Sequence, residues 1–179
     1  MEMYFVAIVL PEDLNKKVLH YKTLMLERFN CTVGLKSPAH ITIIPPFWLN
    51  EELETSLKND IETISAGITP FSITTNNIAA FKPRTIFIDV ENNSVLNNVK
   101  EQAETVFIKK EQYKIKLDKR PFHPHITIAT RDLTKKAFYE GWELLQNIVF
   151  KEAWLANGLS LLKHNKKNWD VIFTSQFKN

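Results

Sequence analysis

Residues 121–129 read PFHPHITIA, and residues 38–44 read PAHITII. Both contain His-Ile-Thr-Ile, at 40–43 and again at 125–128. In an extended strand, residues two apart point to the same face. His40 and Thr42 therefore share one face, and Ile41 and Ile43 the other. His125 and Thr127 repeat this arrangement against Ile126 and Ile128. Each stretch can turn an apolar side to a core while presenting an imidazole beside a hydroxyl on the opposite side.

The elements around the two stretches repeat as well. Tyr4–Leu10 is a β-branched and aromatic run closed by Pro11, which predicts a buried strand. Glu12–Phe29 follows with Leu14, Val18, Tyr21, Met25 and Phe29 at helical spacing. The strand 40–44 is expected to stop at Pro45-Pro46. Asn50 is placed to cap a helix whose apolar face is Leu53, Leu57, Ile61 and Ile64. A strand over 71–75 completes the series. Thr85–Val90 then opens a second one: a helix over 94–107 with Val95, Val99, Ala103 and Val106 or Phe107 inward, the strand 126–129, a helix over 133–148 and a strand over 154–162. A last strand near 169–177 forms a hairpin with it around KHNKK. The two histidines are offset by nearly the same number of residues as the two opening strands, so the pattern is a two-copy internal repeat. The expectation is one domain over 1–179, with repeat halves roughly 3–78 and 84–162 and a C-terminal strand at 168–177.

Composition excludes several classes. With 44% hydrophobic and 24% charged residues the chain can bury an ordinary core. Only four glycines occur and no GxxxxGK[ST] or GxGxxG, which argues against nucleotide-binding glycine loops. One cysteine, Cys31, rules out an internal disulfide or a multi-cysteine zinc site and suits a reducing compartment. The opening MEMYFVAIVLPED, short and without a basic segment, is not expected to act as a secretory leader, and no run reaches roughly 20 apolar residues. A cytoplasmic protein without membrane association is expected. The net charge of +3 and the pI near 8.9 are compatible with a phosphate-bearing ligand.

Two His-Thr pairs facing one another across a cleft would suit phosphoryl transfer without a metal or other cofactor. A neutral imidazole can accept a proton from an attacking hydroxyl or water, and a protonated one can donate to the leaving oxygen. Threonine hydroxyls can hold the non-bridging phosphate oxygens. The catalytic candidates are thus His40 and His125, and the phosphate-binding candidates Thr42 and Thr127.

AHITIIPPF and PFHPHITIA, with this element order and length, resemble the 2H phosphoesterase superfamily, in particular its bacterial 2'-5' RNA ligase and cyclic phosphodiesterase branch. The resemblance covers nearly the whole chain. It implies an α+β fold, bilobal with a pseudo-twofold axis, whose mostly antiparallel sheets line a central cleft with helices outside. It also implies metal-independent hydrolysis of 2',3'-cyclic phosphates on nucleotides or RNA ends, with reversible 2'-5' ligation in some members. In hydrolysis His125 is expected to activate water and His40 to protonate the departing oxygen; the reverse direction exchanges the roles. Family members often carry a basic residue five positions after the second histidine. Here that place is Thr130, and Arg131 follows it.

Candidate substrate contacts are Phe47, Phe122, His123, Arg131 and Arg84. Lys109, Lys110, Lys114, Lys116, Lys119 and Arg120 form a basic segment that could guide an RNA end. His-Pro-His at 123–125 could be read as a metal-ligand pair, but its nearest acid is Asp132 and no HExxH occurs. The alternatives are a non-catalytic nucleotide or RNA-end binding module and a metal-dependent hydrolase using that segment. The expected partner is a nucleotide or RNA bearing a 2',3'-cyclic phosphate, bound by a monomer.

Overall fold

The apolar run of each half becomes the central strand of a four-stranded layer, and the computed structural model, which describes residues 1–115 and 120–178, joins the two layers edge to edge. In the first lobe β1 (Glu2–Val9) lies between β2 (His40–Leu49) and β7 (Gly158–His164), with β8 (Trp169–Gln176) outside β7. In the second, β4 (Thr85–Val90) lies between β5 (His125–Thr130) and β3 (Phe71–Phe81), with β6 (Ala153–Ala156) outside β3. All of these pairings are antiparallel. The lobes meet where β2 and β5 come into register, at the single pair Ile41 and Ile126.

Among the described residues four helices supply the other layer: α1 (Glu12–Phe29), α2 (Glu54–Ala66), α3 (Ser94–Ile108) and α4 (Lys135–Leu145). Their spacing at three and four residues gives each an apolar stripe. Leu14, Val18 and Met25, then Leu57, Ile61 and Ile64, then Leu96, Val99, Ala103 and Phe107 are buried with Ile41, Ile43, Ile126 and Ile128 in one core. Each such aliphatic side chain contributes roughly 1.5–3 kcal/mol on leaving water. α1 packs on β5 and α3 on β2, so each helix crosses to the HIT strand of the opposite lobe. This fixes the isoleucine face inward, with the histidines on the opposite face of the strands. Among the described residues no helix is long and apolar enough to cross a membrane.

The structure differs from the sequence expectations in places with clear causes. The third strand of the first half, β3, pairs with β4 and β6 of the second, and β7 of the second half pairs with β1. Only three residues separate β3 from β4, and Arg84 N–H donates to the Phe81 carbonyl at 2.7 Å, so the connection is a tight hairpin rather than a crossover. The expected strand at 154–162 is two strands, β6 and β7, that serve different lobes. β2 does not stop at Pro45-Pro46 but runs to Leu49. The prolines sit between the Ile44 and Phe47 pairings, where the register with β1 slips and no ladder N–H is needed. In α3 the inward residue of the first turn is Leu96; Val95 is 40% exposed. The basic segment is described at Lys109, Lys110, Lys114 and Arg120, whereas Lys116 and Lys119 lie outside the described residues.

A short 3-10 turn, Val33–Lys36, leads into β2 and lies against β5. Asp132, just beyond β5, caps it: one carboxylate oxygen accepts from Thr32 N–H at 2.6 Å, the Thr32 hydroxyl at 3.0 Å and Val33 N–H at 3.0 Å. At Gly34 the backbones of turn and strand nearly touch. A Cβ there would stand 2.2 Å from the Ile128 carbonyl oxygen. The two HIT strands are thus braced to each other on the helix side as well as through the sheet.

Candidate active site

The four residues of the duplicated motif converge on the seam between the lobes. With Ile41 opposite Ile126, antiparallel register sets His40 beside Thr127 and Thr42 beside His125. Directly opposed residues in such a ladder lie about 5 Å apart and diagonal ones about 7–8 Å. The two imidazoles therefore occupy one diagonal of a small quadrilateral and the two hydroxyls the other. A tetrahedral phosphate is of the size to touch all four.

Both rings are held in the same way. His40 Nδ1 lies 2.7 Å from the Pro38 carbonyl oxygen, and His125 Nδ1 lies 2.7 Å from the His123 carbonyl oxygen. A carbonyl can only accept, so each Nδ1 carries the hydrogen and each neutral ring keeps its lone pair on Nε2. Aromatic side chains pack beside the rings. Phe5 is 4.8 Å from His40, centroid to centroid, while Phe87 and Phe81 are 5.0 and 5.3 Å from His125. Trp169 meets Phe5 edge-on at 4.7 Å. Phe5, Ala7 and Leu162 form a small apolar cluster separate from the main core, with Val9 and Trp169 packed on it.

Burial pushes His40 down from its ordinary 6.5 to about 4, helped by Lys22 and His125 and opposed by the Pro38 carbonyl. Burial also lowers His125 and His123 adds to this, whereas the His123 carbonyl and the Asp89 carboxylate work against it. Lys22 is itself buried in α1, lowered to about 8 by desolvation, and its Nζ donates to the Ser37 carbonyl at 3.0 Å. A histidine whose proton affinity falls on folding contributes its full stability above about pH 6.5. That contribution is lost as the pH falls toward about 4. A shift of this size corresponds to roughly 3 kcal/mol at most, and to less for a ring partly open to solvent. Melting scans between about pH 7 and pH 4.5 should therefore show wild type losing more stability than His40→Asn; equal losses would refute the assignment.

The candidate contacts divide. Phe47 is not at the site: it is paired with Tyr4 of β1, is 7% exposed, and packs against the Tyr4 ring in the core. Phe122 is half-buried against the core with the Lys100 ammonium 5.6 Å from its ring centroid. Arg84 and Arg131 are both exposed and flank the paired Thr85 and Thr130, so they stand together at the far end of lobe two. Arg131 has the left-handed φ of 61° that ends β5. His123 is at the site. Its Nε2 lies 2.9 Å from Asp89 Oδ1, and Asp89 is the β4 residue paired with His125. Among the described residues no group of three or more His, Cys, Asp or Glu gathers as a metal site. Sequence pattern alone does not single out Phe5, Phe81, Phe87 or Asp89. Asp89 did leave a signal, as the lone acid in the apolar strand TIFIDV.

Fold and site together define a class: a bilobal α+β protein whose lobes each bring one His-x-Thr strand to a shared seam. The chain belongs to the 2'-5' RNA ligase superfamily of 2H phosphoesterases, whose model it matches over residues 11–168. It is 27% identical over 134 residues to the RNA 2',3'-cyclic phosphodiesterase of Bacillus subtilis (strain 168), an alignment covering 72% of this chain and 70% of that protein. The fold is shared with TT0787 of Thermus thermophilus, with a TM-score of 0.72 at 19% identity over 99% of this chain and 98% of the other. It is also shared with Escherichia coli LigT crystallised with 3'-AMP, with a TM-score of 0.69 at 14% identity over 99% of each chain.

Proposed function

We propose that this protein opens the 2',3'-cyclic phosphate of nucleotides or RNA ends by metal-independent acid–base catalysis between His40 and His125. The observation that carries the reading is the matched pair of Nδ1-anchored imidazoles astride one strand pair, with Thr42 and Thr127 between them. A water oxygen forms a bond to phosphorus as one Nε2 takes its proton. The bond from phosphorus to one ribose oxygen breaks as the other Nε2–H supplies a proton to that oxygen. The product is a phosphomonoester, and exchange with solvent resets the two rings. Both threonine hydroxyls are placed to donate to the non-bridging oxygens, where charge increases in the transition state. A 5'-hydroxyl replacing water would give 2'-5' ligation by the same proton movements.

The relative named as an RNA 2',3'-cyclic phosphodiesterase and the LigT structure holding 3'-AMP support this substrate class. All four side chains come from one chain, which supports a monomer as the working unit. The test is an assay on 2',3'-cyclic mononucleotides and on an oligoribonucleotide ending in a cyclic phosphate, with EDTA present and products identified by phosphorus NMR. Phosphomonoester formation that EDTA does not slow is expected. Loss of turnover on adding EDTA, or no product from any cyclic phosphate, would overturn the reading.

A further inference from the structure

The two half-sites share their anchoring but not their surroundings. At the position two before the histidine, lobe one has Pro38 and lobe two has His123. In the adjacent strand, His40 is paired with Val9 and His125 with Asp89. The carboxylate is not loose: Asp89 Oδ1 is 2.9 Å from His123 Nε2, and the two side chains are 25% and 52% exposed. Phe81 and Phe87 meet the His123 ring edge-on at 5.2 and 5.6 Å. The side chain of His123 is thus fixed on three sides while its own carbonyl fixes His125.

We propose that Asp89 and His123, which have no counterparts in lobe one, are positioning residues that make His125 the proton donor and leave His40 as the base. The assignment rests on the two-histidine reading of the site. Around His125 stand Asp89 from β4, His123 from its own segment and His40 from β2, with Phe81 of β3 and Phe87 completing the wall. Around His40 stand Lys22 from α1, His125 from β5, the Pro38 carbonyl and the Phe5 ring. Burial disfavours an imidazolium at both places. Among the described residues His125 has the Asp89 carboxylate acting against that penalty while the His123 ring adds to it, whereas at His40 both charged neighbours, Lys22 and His125, add to it.

The consequence for the reaction is directional. His40 Nε2 takes the proton of the attacking water as the new oxygen–phosphorus bond forms. His125 Nε2–H gives its proton to the departing ribose oxygen as that bond breaks. After one turnover His40 is protonated and His125 neutral, and solvent restores both. This reverses the order expected from the sequence. It also gives the H-P-H segment a use that needs no metal: the first histidine ties Asp89 and, through its backbone, aims the second.

The experiment follows both rings by nitrogen-15 and proton NMR across pH in the free protein, and in parallel the pH dependence of kcat/KM on a cyclic nucleotide. In wild type His125 should hold its proton to a higher pH than His40. Asp89→Asn should lower the His125 titration by about tenfold in proton affinity, leave that of His40 in place, and move only the high-pH limb of the rate profile downward. His123→Gln, whose amide can still donate to Asp89, should retain more of the wild-type profile than His123→Phe. A merely structural role would lower the whole profile without moving one limb. Turnover with His40 titrating above His125, or with Asp89→Asn moving neither ring, would overturn the assignment alone. No turnover on any cyclic phosphate would remove the two-histidine reading and the assignment with it.

Discussion

Alanine at His40 or at His125 is expected to lower kcat/KM on a 2',3'-cyclic nucleotide by about 100- to 10,000-fold each, the range for loss of a positioned acid or base. The double variant should be little worse than the more damaged single one. Base and acid act in one transition state, so removing either leaves the other without its partner step. The loss should fall on kcat more than on KM, because the proton transfers occur during bond exchange rather than binding. Thr42→Val and Thr127→Val test the hydroxyls with little change in shape. Each should cost about 100-fold if a preorganised donor to the phosphate oxygens is lost. Steady-state kinetics on the five variants, with melting curves to confirm folding, decide the matter. Activity surviving in both histidine variants would remove acid–base catalysis by this pair.

The second large effect is on stability. Gly34→Ala places a methyl group 2.2 Å from the Ile128 carbonyl oxygen, far inside contact distance. The obstacle is strand backbone, which cannot swing aside as a side chain can. The 3-10 turn must therefore lift from β5, loosening the Asp132 cap at Thr32 and Val33. The expected loss is about 3 kcal/mol, the upper part of the usual range for overpacking. Urea denaturation measures it, and a change under about 0.5 kcal/mol, the size of an ordinary surface substitution, would show that the turn moves freely. By contrast, the Cβ of Gly141→Ala would meet the flexible end of Met25, and the change should be milder. The turn precedes His40 and touches the strand of His125, so the same variant should also lose activity at temperatures where it remains folded.

Much of this was legible in the sequence because period-two patterning is local. His-Ile-Thr-Ile states which residues face the core and which face away, and the structure buries the four isoleucines as that pattern requires. Helix α1 was readable to its ends, Glu12–Phe29, since a long amphipathic run follows Pro11 and its last apolar position is Phe29. What was not legible depends on pairing between distant segments. Nothing in TIFIDV says that its aspartate will lie beside His125, because that neighbour comes from 36 positions later and a different strand. Nothing in VGLK says that its glycine will meet a backbone oxygen almost a hundred residues away. Phe47 misled for a simpler reason. Proximity to a motif in sequence suggested proximity to the site, while the slipped register beyond Ile44 pairs Phe47 with Tyr4 and turns its ring into the core.

The crossing of β3 and β7 bears on where such a chain could come from. Each lobe is completed by a strand belonging to the other half, β3 on β4 and β7 on β1. A single ancestral copy with this topology would have an unfilled sheet edge and a surplus strand. Trading strands with a twin, as a domain-swapped homodimer, would satisfy both. Gene fusion of two such copies would then have made the trade intramolecular, and freed each histidine to diverge from its double. In this molecule the two half-sites do differ, with Asp89 and His123 on one side and Val9 and Pro38 on the other.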